Sequence, residues 1–135
     1  MKKITLKHFI FLAVTGLLAS CQPAEKNWEL NSPDNSIKIT VSAIEEGETS
    51  LVYKVDRMNE GQAQAVIEDS PLGIERKDQQ FSTQLKFVSK SEVTTIDETY
   101  RMLTGRQAEC RNHANELELT FENEQGSPMQ IVLRA

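Results

Sequence analysis

Histidine, cysteine and tryptophan are all scarce in this chain of 135 residues, which holds two, two and one of them. One histidine, His8, falls inside the N-terminal apolar segment. That leaves His113 alone, and a histidine-based metal cluster is excluded. There is no glycine-rich phosphate loop and no Gly-x-Ser-x-Gly elbow. Basic residues are outnumbered, 15 against 20 acidic, for a net charge of −5. Phosphate neutralisation needs clustered Lys and Arg, so nucleic acid is an improbable partner. Beyond the N-terminus no stretch holds a period of 3.6 for three turns, which argues against long helices. Aromatic residues make up only 6% of the chain. Trp28, Tyr53, Tyr100, Phe81, Phe87 and Phe121 fall mostly on apolar faces, so no dedicated sugar platform stands out.

What is present begins with "MKKITLKHFIFLAVTGLLASC", where Lys2, Lys3 and Lys7 precede an apolar run from Phe9 to Leu18. A basic segment followed by an apolar run too short to cross a bilayer is the pattern of a signal peptide. Its end, Leu18-Ala19-Ser20-Cys21, resembles the lipobox of bacterial lipoproteins, in which cleavage occurs before a lipidated cysteine. The resemblance implies that Cys21 is the lipid attachment site and that the membrane is reached through this anchor. It also implies a location in the bacterial cell envelope. Gln22 follows the cysteine where an aspartate retains enteric lipoproteins at the inner membrane, which favours the outer membrane, on its periplasmic or surface face. Residues 1–20 are therefore read as signal peptide, 21–31 as a polar tether and 32–135 as one domain. Removing residues 1–20 takes three lysines and leaves 12 basic against 20 acidic residues, a net charge of −8.

The domain reads as all-β. Ile37, Ile39 and Val41 alternate with polar residues, as do Leu51, Tyr53 and Val55, and Gly47 lies in the turn between them. Leu117, Leu119 and Phe121 form another alternating set, and Met129, Ile131 and Leu133 follow a turn at Gln125–Pro128. Strands are expected near residues 36–44, 50–58, 83–89 and 115–123, with the first nine of these apolar residues facing inward. Short strands with one apolar face pack as two antiparallel sheets, a β-sandwich, or close into a barrel.

Chemistry-bearing groups are few. Cys110 lies beside Arg111 and His113, which could activate a thiolate, but no complete Cys-His-Asn set accompanies it. Cys110 is read as a small strand residue. Glycosidases use paired carboxylates, yet Glu45, Glu46 and Glu48 crowd one turn, and Glu116, Glu118 and Glu122 alternate with apolar residues. Both groups read as solvated faces. No catalytic, cofactor-binding or metal-binding residue is assigned.

Three stretches, in order, carry a family resemblance: residues 31–42, 66–81 and 97–123. Ser32-Pro33-Asp34, Ser70-Pro71-Leu72-Gly73, Asp97-Glu98-Thr99, Gly105-Arg106 and Asn115-Glu116-Leu117 together resemble the N-terminal domain of glycoside hydrolase family 97. This family includes lipoprotein α-glucosidases and α-galactosidases of Bacteroidetes. The resemblance implies part of a large sandwich similar to galactose mutarotase, packed on a catalytic (β/α)8 barrel. It also implies calcium at the active site of the full-length enzyme, with the catalytic carboxylates on the barrel. The chain is then expected to be a truncated, non-catalytic portion that supports carbohydrate binding. A second reading is a stand-alone lipoprotein module binding glycan or protein. A third, weaker one is a small periplasmic enzyme.

Overall fold

A computed structural model describes residues 26–46, 48–104 and 108–135. The signal peptide, Cys21, the turn tip at Gly47 and the Gly105-Arg106 step lie outside the described residues. Ten strands run in the order β1 (Asn27–Asn31), β2 (Ile37–Glu46), β3 (Glu48–Asn59), β4 (Gln62–Leu72), β5 (Ile74–Glu75), β6 (Gln80–Phe81), β7 (Lys86–Lys90), β8 (Thr94–Arg101), β9 (Glu109–Glu122) and β10 (Pro128–Arg134).

The first four strands form one antiparallel meander, β1-β2-β3-β4. Glu60 and Gly61 turn β3 into β4 with φ of 49° and 81°. Two left-handed central residues give the connection the twist that a two-residue hairpin requires. The second sheet centres on β9. One side of β9 pairs with β10, and the other takes β7 and β8, each along a different part of its length. The short β5–β6 hairpin stands between the two sheets in sequence.

The sheets close on each other through one apolar cluster. Trp28 and Leu30 of β1, Val41 of β2 and Leu51 of β3 meet Leu117, Leu119 and Phe121 of β9 and Leu133 of β10. Phe81 and Leu85 seal the cluster. Trp28 packs edge-on to Phe121 at 5.2 Å and tilted over Phe87 at 4.8 Å. Each fully buried Leu or Phe contributes on the order of 1.5–3 kcal/mol, so this cluster is the main source of stability. The chain is an all-β antiparallel sandwich.

The expected strands are found with shifted ends. The first two lengthen to β2 and β3, the third starts at Lys86 with Leu85 buried just ahead of it, and the last reaches back to Glu109. Of the nine residues expected inside, Val41, Leu51, Leu117, Leu119 and Phe121 are buried, and Ile39 and Tyr53 pack against them. Ile37 and Val55 are half-buried. The tether does not extend to residue 31. Asn27–Asn31 is β1, because Trp28 and Leu30 alternate and reach the core, although two apolar residues are too few to announce a strand.

Candidate functional site

The family-like motifs turn out to be structural joints. At Ser32-Pro33-Asp34, the Ser32 hydroxyl donates to Asp34 Oδ1 at 2.6 Å, and the Ser36 amide and hydroxyl donate to the same oxygen at 3.0 and 2.8 Å. Ser32 Oγ in turn accepts from the Ile37 amide at 3.0 Å. These donors, Ser32 first, lower the Asp34 pKa to about 2. The carboxylate thus fixes the tight turn into β2, with Asn35 at a φ of 56°.

Ser70-Pro71-Leu72-Gly73 serves a close approach. A Cβ on Gly73 would stand 2.7 Å from the Ser82 Cα and 2.8 Å from the Phe81 carbonyl oxygen, so only glycine lets this backbone press on β6. At the other end of the sandwich Asn115 exchanges backbone hydrogen bonds with Ala135, at 2.7 and 3.0 Å, and its side-chain amide donates to the Asn31 carbonyl at 2.8 Å. Asn115 therefore ties β9 to both β1 and the residue after β10.

The glutamates behave as cross-strand partners. Glu116 pairs with Arg134, Glu118 accepts from Gln130 at 2.7 Å, and Glu98 accepts from Asn112 at 2.8 Å. Cys110 is a half-buried free thiol opposite Tyr100, and His113 is exposed opposite Asp97. Arg111 holds Asp97 with two bonds of 2.7 Å, which depresses the Asp97 pKa.

One carboxylate escaped sequence reasoning. Asp56 sits among the outward residues of β3 by alternation, yet it is only 5% exposed. The β3–β4 register shifts on both sides of Val55, and this bulge breaks the simple alternation there. Lys54 Nζ lies 3.1 Å from Asp56 Oδ1, and the carboxylate raises the Lys54 pKa. That oxygen nevertheless lacks a well-aligned donor. The indole Nε1 of Trp28 is likewise buried without an acceptor.

Among the described residues, an open cleft of about 580 Å³ lies at one mouth of the sandwich. Its floor is apolar, with Phe87, Ala43 and an edge of Trp28. Its rim is polar. Lys26 pairs with Glu45 at 2.6 Å, and the Gln84 amide donates to Glu48 at 3.2 Å. The Leu85 amide bonds the Thr49 carbonyl at 3.2 Å, which pins the segment before β7 to the start of β3.

The profile of the family described as glycosyl-hydrolase 97 N-terminal matches residues 30–135. This chain belongs to that family. Among solved structures, a β-arabinopyranosidase is 28% identical, with a TM-score of 0.66 over 80% of this chain and 16% of the other. A family 97 enzyme from Pseudoalteromonas sp. strain K8, solved with acarbose, is 23% identical with a TM-score of 0.62, over 79% of this chain and 15% of that one. The same enzyme solved as a variant with panose gives a TM-score of 0.60. The family 97 chain described here thus spans about one sixth of the length of the enzymes it matches. The family resemblance implies calcium, but among the described residues no group of three or more His, Cys, Asp or Glu is placed to hold a metal ion.

Proposed function

We propose that this chain is the non-catalytic opening portion of a family 97 α-glycoside hydrolase, supplying an accessory sandwich that packs on a catalytic barrel and supports carbohydrate binding. The observation that carries this reading is the family match over residues 30–135 together with neighbours that are glycosidases about six times longer. Calcium, in this reading, belongs to the remainder of such an enzyme. Lipid at Cys21 would anchor the assembly to the outer membrane of a bacterial envelope. Mass spectrometry of the processed protein tests the anchor, since an N-terminus other than lipidated Cys21 removes it.

The chemistry explains why the described residues should not hydrolyse a glycoside. Inversion needs two carboxyl groups about 6.5–9.5 Å apart and retention about 5–5.5 Å, with one acid shielded so that it stays protonated. Glu116 and Glu118 share a strand face, where residues two apart lie about 6.6 Å from each other. Spacing alone is insufficient, because both carboxylates are held on the sheet surface by Arg134 and Gln130 rather than enclosed around a sugar. Assayed with calcium on p-nitrophenyl α-glucoside and α-galactoside, the chain should release no p-nitrophenol. Turnover abolished by Glu116→Gln or Glu118→Gln would make it a small enzyme instead.

A further inference from the structure

We propose that the cleft at the sandwich mouth is a binding site for a short neutral oligosaccharide. The inference rests on reading the chain as a carbohydrate-handling accessory domain and assigns that role to specific residues.

Three observations converge on it. First, the cleft's volume of about 580 Å³ lies within the range of small-ligand sites, roughly 300–1,000 Å³. Second, its charge is balanced, with Lys26 and Lys86 against Glu45 and Glu48. A balanced rim gives no net attraction to an anion or a cation. It offers both donors and acceptors, which is what a sugar hydroxyl, itself both, can use. Half-buried Phe87 beside Ala43 supplies an apolar floor for the C–H face of a pyranose. Third, Gln84 stands on the rim with a φ of 55°, a left-handed conformation that a glutamine rarely adopts. The same left-handed φ serves ordinary turns at Asn35 and Glu60, so its consequence at Gln84 is the direction it gives the side chain. Here it is held by the Leu85–Thr49 backbone bond next door and aims the Gln84 amide at Glu48. A carboxamide and a carboxylate already bonded to each other form the paired donor and acceptor that adjacent hydroxyls on one sugar ring can bridge.

Trp28 is the only tryptophan of the chain, so its buried indole N–H gives a single cross-peak in a nitrogen–proton correlation spectrum, reporting on the packing beneath the cleft. Titration with maltotriose should shift this peak and the Gln84 side-chain amide together, with a dissociation constant on the order of 1 mM. A trigalacturonate of similar size, carrying charge, should leave both in place. Gln84→Gly keeps the left-handed backbone without strain and removes the amide, so it should fold normally and bind about fivefold more weakly, the loss expected for one hydrogen bond. Absence of any shift with maltotriose overturns the proposal, as does an equal response to the charged sugar or undiminished binding by Gln84→Gly. None of those results touches the reading of the chain as a non-catalytic portion, which the hydrolysis assay decides.

Discussion

The two ends of β9 belong to one strand and live in different surroundings. From Glu116 to Glu122 it is flanked by β10, partly by β7 on the other side, and covered by β1, and there Leu117, Leu119 and Phe121 are 3%, 0% and 1% exposed. From Glu109 to Ala114 it pairs with β8 alone, in a two-stranded ribbon whose tip exposes Tyr100, Met102 and Leu103. Backbone pairing is continuous along both. The covered end buries three large side chains, whereas the ribbon end buries only the small Ala114 at its base, and an isolated two-stranded ribbon is marginal in water. Stability in this chain therefore follows burial between sheets rather than strand pairing as such.

The sharpest way to break that comparison is to delete equivalent bulk at each end. Leu119→Ala should cost about 2–5 kcal/mol in urea unfolding, because a fully enclosed side chain leaves a cavity. Tyr100→Ala, half-exposed on the ribbon, should stay within about 0.5 kcal/mol. Equal losses would mean that the ribbon is packed against something in solution.

A second contrast sets contact against conformation at two glycines. Gly73→Ala forces a Cβ into the Ser82 and Phe81 backbone and should cost about 1–3 kcal/mol, the range for overpacking. Gly61→Ala meets nothing within 4 Å and strains only its φ of 81°, at about 1 kcal/mol. Thermal midpoints of the two variants rank them, and a larger loss at Gly61 would show that the β5–β6 joint yields easily.

Legibility in the sequence followed the same division. Where a strand is covered on one face by the opposite sheet, alternation is plain, and the inward residues of β2, β3 and β9 could be read directly. β8 carries Ile96 and Tyr100 among polar residues and lies mostly exposed, so no period-two signal marks it. β4 likewise leaves Val66 and Ile67 on the surface. β1 was hidden by shortness, and the burial of Asp56 by a bulge that no residue type announces. The motifs were legible as turns, but Asp34 as a triple acceptor and Gly73 as a backbone contact depend on neighbours that only the folded chain brings together. The cleft was the least legible, because its rim joins Lys26, assigned to the tether, to Gln84, whose unusual φ has no sequence signature.

Acid should reveal the Asp34 joint. Its pKa falls from 3.8 to about 2 on folding, so the unfolded chain binds the proton more readily. The stabilisation is complete above pH 3.8 and is lost as the pH drops through about 2. Asp34→Asn should remove this part of the acid sensitivity, seen as a shallower fall of the unfolding midpoint across that window. An unchanged slope would place the acid response elsewhere.

The smallest effect should come from the ribbon's own ion pair. Arg111 and Asp97 sit diagonally across β8 and β9, since Asp97 opposes His113 and Arg111 opposes Thr99. Their side chains are 59% and 49% exposed, so water and salt screen the attraction even in this two-pronged geometry. Arg111→Ala should leave the global unfolding midpoint unchanged, because the ribbon shares little of the core that sets it. The local consequence is different. With few buried contacts, β8 opens without global unfolding, and the pair works beside the Thr95–Asn115 and Glu98–Asn112 side-chain links across the same strands. Amide exchange in β8 should therefore speed up severalfold while exchange at Leu119 stays fixed, and raising salt should narrow the gap between variant and parent. Faster exchange at both ends of β9 would join the ribbon to the sandwich as one cooperative unit and dissolve the contrast between them.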